Sequence, residues 1–199
     1  DGGRPGLAAL TADLLDQGAG DWDADTIAER LETVGAELGI ETQRDLTAFS
    51  LRTLTREPAL GQALETLGKL ISRPRFAPAD FTRIRANTLV AINRADQDPA
   101  TRGQKAFYRL LYGDHPYASD PAGTPASLAT LTPEDLVAFH ARHYVARQAV
   151  IALVGAISRP QAEAIAESIT ADLPPGEPAT PLPPLPSNLS ATLERIDFP

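Results

Sequence analysis

Residues 36–55 read AELGIETQRDLTAFSLRTLT and separate two helical regions of the chain. Apolar and polar side chains alternate through the second half of this stretch, the period-2 pattern of a half-buried strand. We therefore predict strands over 36–43 and 46–55, with a turn at Arg44-Asp45. One face of the second strand would carry Thr47, Phe49, Leu51 and Thr53.

Leucines at helical spacing, punctuated by Gly and Pro, predict helices on both sides of this hairpin. The predicted helices cover 5–17, 25–34, 58–72, 78–95, 100–112, 133–143 and 159–173, and a further strand is predicted over 148–154. This order lacks the regular strand–helix–strand alternation of a parallel sheet. The fold class expected is α+β, with an antiparallel sheet covered by helices.

Composition excludes several classes of protein. About 43% of the residues are hydrophobic and the net charge is −8, which favours a packed core and disfavours general binding to nucleic acid. No apolar run reaches the length of a bilayer span. The chain has no Cys, which excludes disulfides and thiolate metal sites.

Proline marks the predicted domain boundary. Seven prolines lie between residues 174 and 186, which is typical of an extended linker. We predict a domain over 1–173, a linker over 174–188, and a strand over 189–199 that leads into a following domain.

Short sequence blocks along the chain resemble the insulinase/pitrilysin metallopeptidase family, which includes the mitochondrial processing peptidase. Each block is weak alone, but their order is specific. The blocks include Gly6-Leu7-Ala8, Gly18-Ala19-Gly20, Ser50-Leu51-Arg52-Thr53-Leu54, Pro74-Arg75-Phe76, His115-Pro116-Tyr117, Phe139-His140 and Val154-Gly155. The resemblance implies a processing-peptidase-like fold (LuxS/MPP-like metallohydrolase), from which the opening strands are missing here.

Active members of that family carry H-x-x-E-H on the first helix, where two His bind zinc and the Glu activates a water. The corresponding positions here run from Ala9 to Asp13, with Ala12 in place of the general base. A third ligand would fall near Val90 or Ala91. We therefore expect no catalytic residues, no metal and no cofactor, with Ala9, Ala12 and Asp13 as the degenerate motif.

The resemblance implies a non-catalytic domain of a zinc peptidase. It would close a substrate chamber with a zinc-bearing partner and hold peptide jointly with it. The alternative is a scaffold or protein-binding module with no part in proteolysis. The resemblance also implies a periplasmic location, and exposed sheet edges suggest pairing between copies as a hypothesis.

Two other features invite a functional interpretation. His140 and His143 are spaced to share a metal ion, although a partly exposed helix end is the favoured interpretation. A basic stretch is interpreted as a solvated helix face rather than as a binding patch. It comprises Lys69, Arg73, Arg75, Arg83, Arg85 and Arg94.

Overall fold

The computed structural model describes residues 3–187 and 190–197, in which helices dominate and two short antiparallel hairpins occur. The helices are α1 (Leu7–Asp13), α2 (Ala24–Thr33), α3 (Ala59–Ser72), α4 (Pro78–Ala95), α5 (Pro99–Tyr112), α6 (Pro125–Ala129), α7 (Pro133–His143) and α8 (Arg159–Thr170). The strands are β1 (Gly18–Ala19), β2 (Trp22–Asp23), β3 (Glu37–Thr42) and β4 (Thr47–Arg52). The predicted α+β class is confirmed.

The hairpin β3–β4 forms where the alternating pattern predicts it. Leu38 is opposite Leu51 and Ile40 is opposite Phe49, so apolar cross-strand pairs face the helices. Phe49 and Leu51 are half-buried, while Ser50 between them is exposed. The predicted division of β4 into two faces is confirmed.

Helix α1 lies at the centre of the main hydrophobic core. Leu10 and Leu14 are each 1% exposed, and they pack in one cluster with residues of α4, α6 and α7. The other buried members of this cluster are Leu7, Leu15, Phe76, Phe81, Ile92, Leu128, Leu131 and Leu136. The side of α1 that carries the leucines is therefore part of the core, although this is the helix that would carry a catalytic motif.

Two glycines let the start of α1 approach the loop before α6. Gly123 has a φ of +81°, and a Cβ added there would lie 2.6 Å from the carbonyl oxygen of Pro5. Gly6, with a φ of +92°, faces the same contact from the other side. Because only glycine combines this backbone conformation with this space, the contact fixes the position of α1.

Trp22 ties α2 to α3. The Arg30 guanidinium lies over its ring at 4.0 Å from the centroid, and the Lys69 ammonium lies over the ring at 3.6 Å. Arg30 also contacts Glu65, with a nitrogen–oxygen distance of 2.6 Å, and Lys69 is paired with Asp21. Two cations held in place by acidic partners therefore clamp one aromatic ring.

The predicted strand over 148–154 is wrong. Residues 146–148 form a turn of 3₁₀-helix, and no strand occurs over 149–154. The composition of residues 150–154 suits a strand, but a strand also needs a neighbouring strand with which it forms hydrogen bonds. Within the described residues, no backbone hydrogen bond joins 150–154 to another segment.

The predicted strand over 189–199 is not formed at its described positions either. Residues 190–197 carry neither helix nor strand, and no neighbouring strand pairs with them. Leu189, Phe198 and Pro199 lie outside the described residues. Across the described ranges, no helix combines the length and apolarity needed to cross a bilayer.

Candidate functional site

The degenerate motif positions lie on α1, which buries part of its surface among other helices. Ala12 is 1% exposed and Thr11 is fully buried, and the Thr11 hydroxyl donates a 2.7 Å hydrogen bond to the carbonyl of Leu7. Ala9 is half-buried and Asp13 is exposed. The motif positions therefore present two methyl groups and one carboxylate.

Asp13 is the one ionisable group among these positions. Although its side chain reaches solvent, surrounding protein desolvates the carboxyl, and together with the negative charge of Asp16 this raises its pKa. Burial raises the pKa of the nearby Tyr144 phenol, and the charge of Asp13 adds to that effect. A raised pKa weakens cation binding by a carboxyl, because a metal ion must displace the proton from its ligand.

The third-ligand positions on α4 are also apolar and face outward. Val90 is 62% exposed, and Ala91 is exposed beside it. In residues 3–187 and 190–197, no group of three or more His, Asp or Glu side chains is placed to hold a metal ion. The side chains at these positions of α1 and α4 do not include the three ligands and the base that zinc-dependent hydrolysis uses.

His140 and His143 make separate contacts within the protein. The His140 Nε2 donates to the carbonyl oxygen of Ile71 at 2.7 Å, and its ring stacks on Tyr144 at a centroid distance of 4.7 Å. His143 packs on Phe139, with centroids 4.4 Å apart. Burial lowers the pKa of both imidazoles. Both histidines are half-buried in the last turn of α7, which agrees with the interpretation as a partly exposed helix end, and His140 in addition joins α7 to α3.

The basic stretch is dispersed into individual contacts. Lys69 pairs with Asp21, and Arg73 pairs with Asp172, just after the end of α8, at 3.0 Å. Arg83 lies 2.9 Å from Asp80. Arg75 and Arg85 reach the backbone carbonyls of Trp22 and Leu131. The sequence offered no sign of these partners, because most of them are distant along the chain.

Two clefts lie away from the degenerate motif. One of about 620 Å³ lies between α3 and α8 and includes Leu64 and Ile165. The other, of about 810 Å³, lies between α4 and α5, and Ile196 from the end of the described chain contributes to its wall. Neither cleft includes Asp13 among its lining residues.

The proline-rich segment runs along the surface of the helical domain. The amide of Ala146 donates to the carbonyl of Pro174 at 2.9 Å, and His115 Nε2 contacts the carbonyl oxygen of Pro183 at 3.1 Å. Farther along, Arg109 binds Glu194 at 2.6 Å. These contacts have no local sequence signal, because each joins residues that are far apart in the chain.

Comparison with known families places the chain in one family of proteins. The family described as insulinase (peptidase family M16) matches residues 3–124, and the peptidase M16 inactive domain matches residues 130–199. Because the first match alone covers more than half of the chain, the protein belongs to the M16 peptidase family. The resemblance inferred from the sequence blocks is confirmed.

Among curated proteins, the chain is similar to an uncharacterized zinc protease of Mycobacterium leprae, with 28% identity over 80% of this chain and 36% of that protein. It is also similar to the non-peptidase homolog YmxG of Helicobacter pylori, with 23% identity over 75% of this chain and 34% of that protein. The chain thus spans about a third of the length of these relatives.

Among solved structures, the chain is similar to a peptidase M16 inactive domain from Pseudomonas fluorescens. The identity is 34%, the TM-score is 0.90, and the match covers 94% of this chain and 45% of that one. The periplasmic protease PqqL of Escherichia coli shares the fold, with 22% identity, a TM-score of 0.79, and coverage of 92% of this chain and 21% of PqqL. The same fold therefore occurs as one part of longer peptidase chains.

Proposed function

We propose that this chain is a non-catalytic M16 domain that completes a substrate chamber together with a zinc-bearing partner. The observation that carries the proposal is the composition of α1, where Ala9, Ala12 and Asp13 occupy the positions of the H-x-x-E-H motif. A helix with a single carboxylate, whose pKa is raised, supplies neither the set of metal ligands nor the general base that the family's reaction uses. The chain would therefore contribute by shaping the substrate chamber and by positioning the substrate in it.

The comparisons support this proposal without assigning the activity. The chain closely matches the fold of an M16 inactive domain, and one relative is called a non-peptidase homolog. Other relatives are called zinc proteases, although the chain covers only about a third of them. A zinc-bearing part is therefore expected on a different domain or a different chain.

Reconstitution tests the proposal. We expect the purified chain to contain no stoichiometric zinc by mass spectrometry and to cleave no peptide from a mixed library. Adding an H-x-x-E-H-bearing M16 protein from the same cell should raise the cleavage rate of that protein. The matched control replaces the zinc-bearing protein with a variant whose motif Glu is Gln, which should leave the mixture inactive.

Each other outcome contradicts the proposal. Chelator-sensitive cleavage by the chain alone would overturn it, and His140→Gln and His143→Gln would then test whether these imidazoles bind the metal. Formation of the complex without any change in cleavage rate would favour a scaffold without a part in proteolysis.

A periplasmic location, as in PqqL, belongs to the same proposal, and fractionation of source cells tests it.

A further inference from the structure

The proline-rich segment begins with a close contact to the residues that follow α7. The amide of Arg147 donates to the carbonyl oxygen of Pro175 at 3.1 Å. Gly176 has a φ of +64°, and a Cβ added there would lie 2.3 Å from the Cβ of Val145. Because Val145 is only 3% exposed, the backbone of the segment lies directly on a buried side chain. This contact fixes the first end of the segment.

A second contact holds the segment farther along, at His115. The Nδ1 of His115 accepts a hydrogen bond from the amide of Tyr117 at 3.1 Å. In the neutral ring the proton is therefore on Nε2, which lies 3.1 Å from the carbonyl oxygen of Pro183 and donates to it. The turn that contains Tyr117 thus sets which nitrogen offers a hydrogen to the segment.

An aromatic cluster of Tyr108, Tyr112, His115 and Tyr117 holds this donor in place. The centroid of the His115 ring lies 4.7 Å from that of Tyr117 and 6.0 Å from that of Tyr112. Tyr112 stacks on Tyr108 at 5.7 Å, and the Arg44 guanidinium lies 4.0 Å from the Tyr108 centroid. His115 is 8% exposed, so its ring has little freedom to turn away from the segment.

The sequence of the segment suits such a cluster. Residues 181–186 read P-L-P-P-L-P, a composition that favours the polyproline II helix, in which no carbonyl is used internally and about three residues make a turn. Leu182 and Leu185 therefore share one face. They are 49% and 57% exposed, whereas Leu193 beyond the segment is 95% exposed. The face that carries the two leucines is thus partly covered.

We propose that the aromatic cluster is a recognition site for a polyproline II segment and that residues 181–186 of the same chain are its occupant. Proline-rich segments dock on aromatic side chains because their conformation is already fixed and little entropy is lost. Together with the contact at Gly176, the docked segment forms a strap that fixes the direction in which the chain leaves the helical domain. The inference is independent of the proposed catalytic partner, because it involves no zinc chemistry.

Distance measurement by pulsed electron spin resonance tests the strap. The chain has no cysteine, so nitroxide labels can be attached at Ser187→Cys and at Val90→Cys, both exposed. We expect a narrow distribution of distances in this background and a broad one after His115→Asn. Asn keeps an acceptor for the Tyr117 amide but has no donor that reaches the segment. His143→Asn, on α7, is the matched control and should leave the distribution narrow.

A linker variant gives the same test without any change in the helical domain. P181S/P183S/P184S, here the triple variant, removes the polyproline II preference and leaves the aromatic cluster intact. It should broaden the distribution as His115→Asn does. Its melting temperature should stay close to that of the wild type, because residues 181–186 are exposed.

Competition by a free peptide tests recognition by the cluster. The peptide TPLPPLPS has the sequence of residues 180–187. In the wild type, the linked segment occupies the site at an effective concentration of about 1 mM, so calorimetry should detect no binding of the peptide. The triple variant leaves the site open and should bind the peptide, and adding His115→Asn to that variant should abolish the binding.

Three results would overturn the proposal. The first is a broad distribution in the labelled background, which would mean that the segment is not held. The second is a narrow distribution in the triple variant, which would mean that the prolines do not hold it. The third is a peptide that fails to bind the triple variant, or binds it and the wild type equally, since the cluster would then not be its site.

Discussion

The imidazole of His140 donates a hydrogen bond to the carbonyl oxygen of Ile71 over 2.7 Å and thereby joins α7 to the last turn of α3. That carbonyl belongs to the helix C-terminus, where no intrahelical donor is available. A histidine that the sequence marks as a metal-ligand candidate therefore satisfies the end of another helix.

The burial of His140 predicts a loss of stability in mild acid. Because burial lowers the pKa of His140 below the ordinary histidine value of about 6.5, the unfolded chain binds a proton at higher pH than the folded chain does. The stability that comes from burying the neutral imidazole is fully present above the pKa of the unfolded chain. It is lost as the pH falls through about 6.5 toward the pKa of the folded chain, and each pKa unit between the two corresponds to about 1.4 kcal/mol.

Thermal unfolding followed from about pH 8 to about pH 5 checks this prediction. His140→Gln keeps a donor for Ile71 but does not titrate, so the fall in melting temperature should become shallower. His143→Gln should act in the same direction, since its pKa is also lowered. An unchanged slope in the double variant would contradict the prediction.

Gly123→Ala should strongly destabilise the domain. The added Cβ would lie 2.6 Å from the carbonyl oxygen of Pro5 in a backbone with a φ of +81°. Gly35→Ala is the matched control, because its φ is +63° but nothing lies within 4 Å of the added Cβ. The control should lose only about 1–2 kcal/mol for its left-handed backbone. Urea unfolding of both variants measures the difference, and equal losses would refute a steric contribution at Gly123.

Leu10→Ala should cost about 2–5 kcal/mol of unfolding free energy, because it leaves a cavity in the cluster around α1. The side chain is 1% exposed. Leu46→Ala removes the same atoms from a side chain that is 51% exposed and should cost far less. Chemical denaturation gives both values. A small loss at Leu10 would mean that α1 does not contribute to the core as described.

Restoring ligands to α1 tests the assignment of the degenerate motif. Ala9→His with Asp13→His places two imidazoles one helical turn apart, and we expect only weak zinc binding without a third ligand. Adding Glu at one of the two candidate positions, Val90→Glu or Ala91→Glu, should strengthen zinc binding, because catalytic zinc sites use three protein ligands. Calorimetry with zinc measures both. No gain from either Glu would show that α4 is aligned wrongly with the family.

Local sequence signals identify elements that depend on local chemistry. Helix α4 is predicted with its observed bounds because Pro78 occupies the first turn and the apolar spacing persists to Ala95. Phe49 and Leu51 share a face because alternation sets the direction of side chains in any strand. The lack of side-chain ligand atoms at Ala9 and Ala12 is equally readable from the sequence.

Features that depend on distant partners could not be predicted from the sequence. Residues 150–154 have strand composition, but no propensity reports whether a second strand is present to pair with them. The contact of His140 with Ile71 joins residues 69 positions apart. The acidic partners of Lys69 and Arg73 are likewise remote along the chain.

The cationic clamp on Trp22 also has a spectroscopic consequence. Trp22 is the sole tryptophan, so indole fluorescence reports on the junction of α2 and α3 and on no other part of the protein. Far-ultraviolet dichroism, in contrast, averages over every helix. Melting curves recorded by the two signals would coincide if the domain unfolds in one cooperative step, and would separate if the Trp22 junction opens before the core around α1.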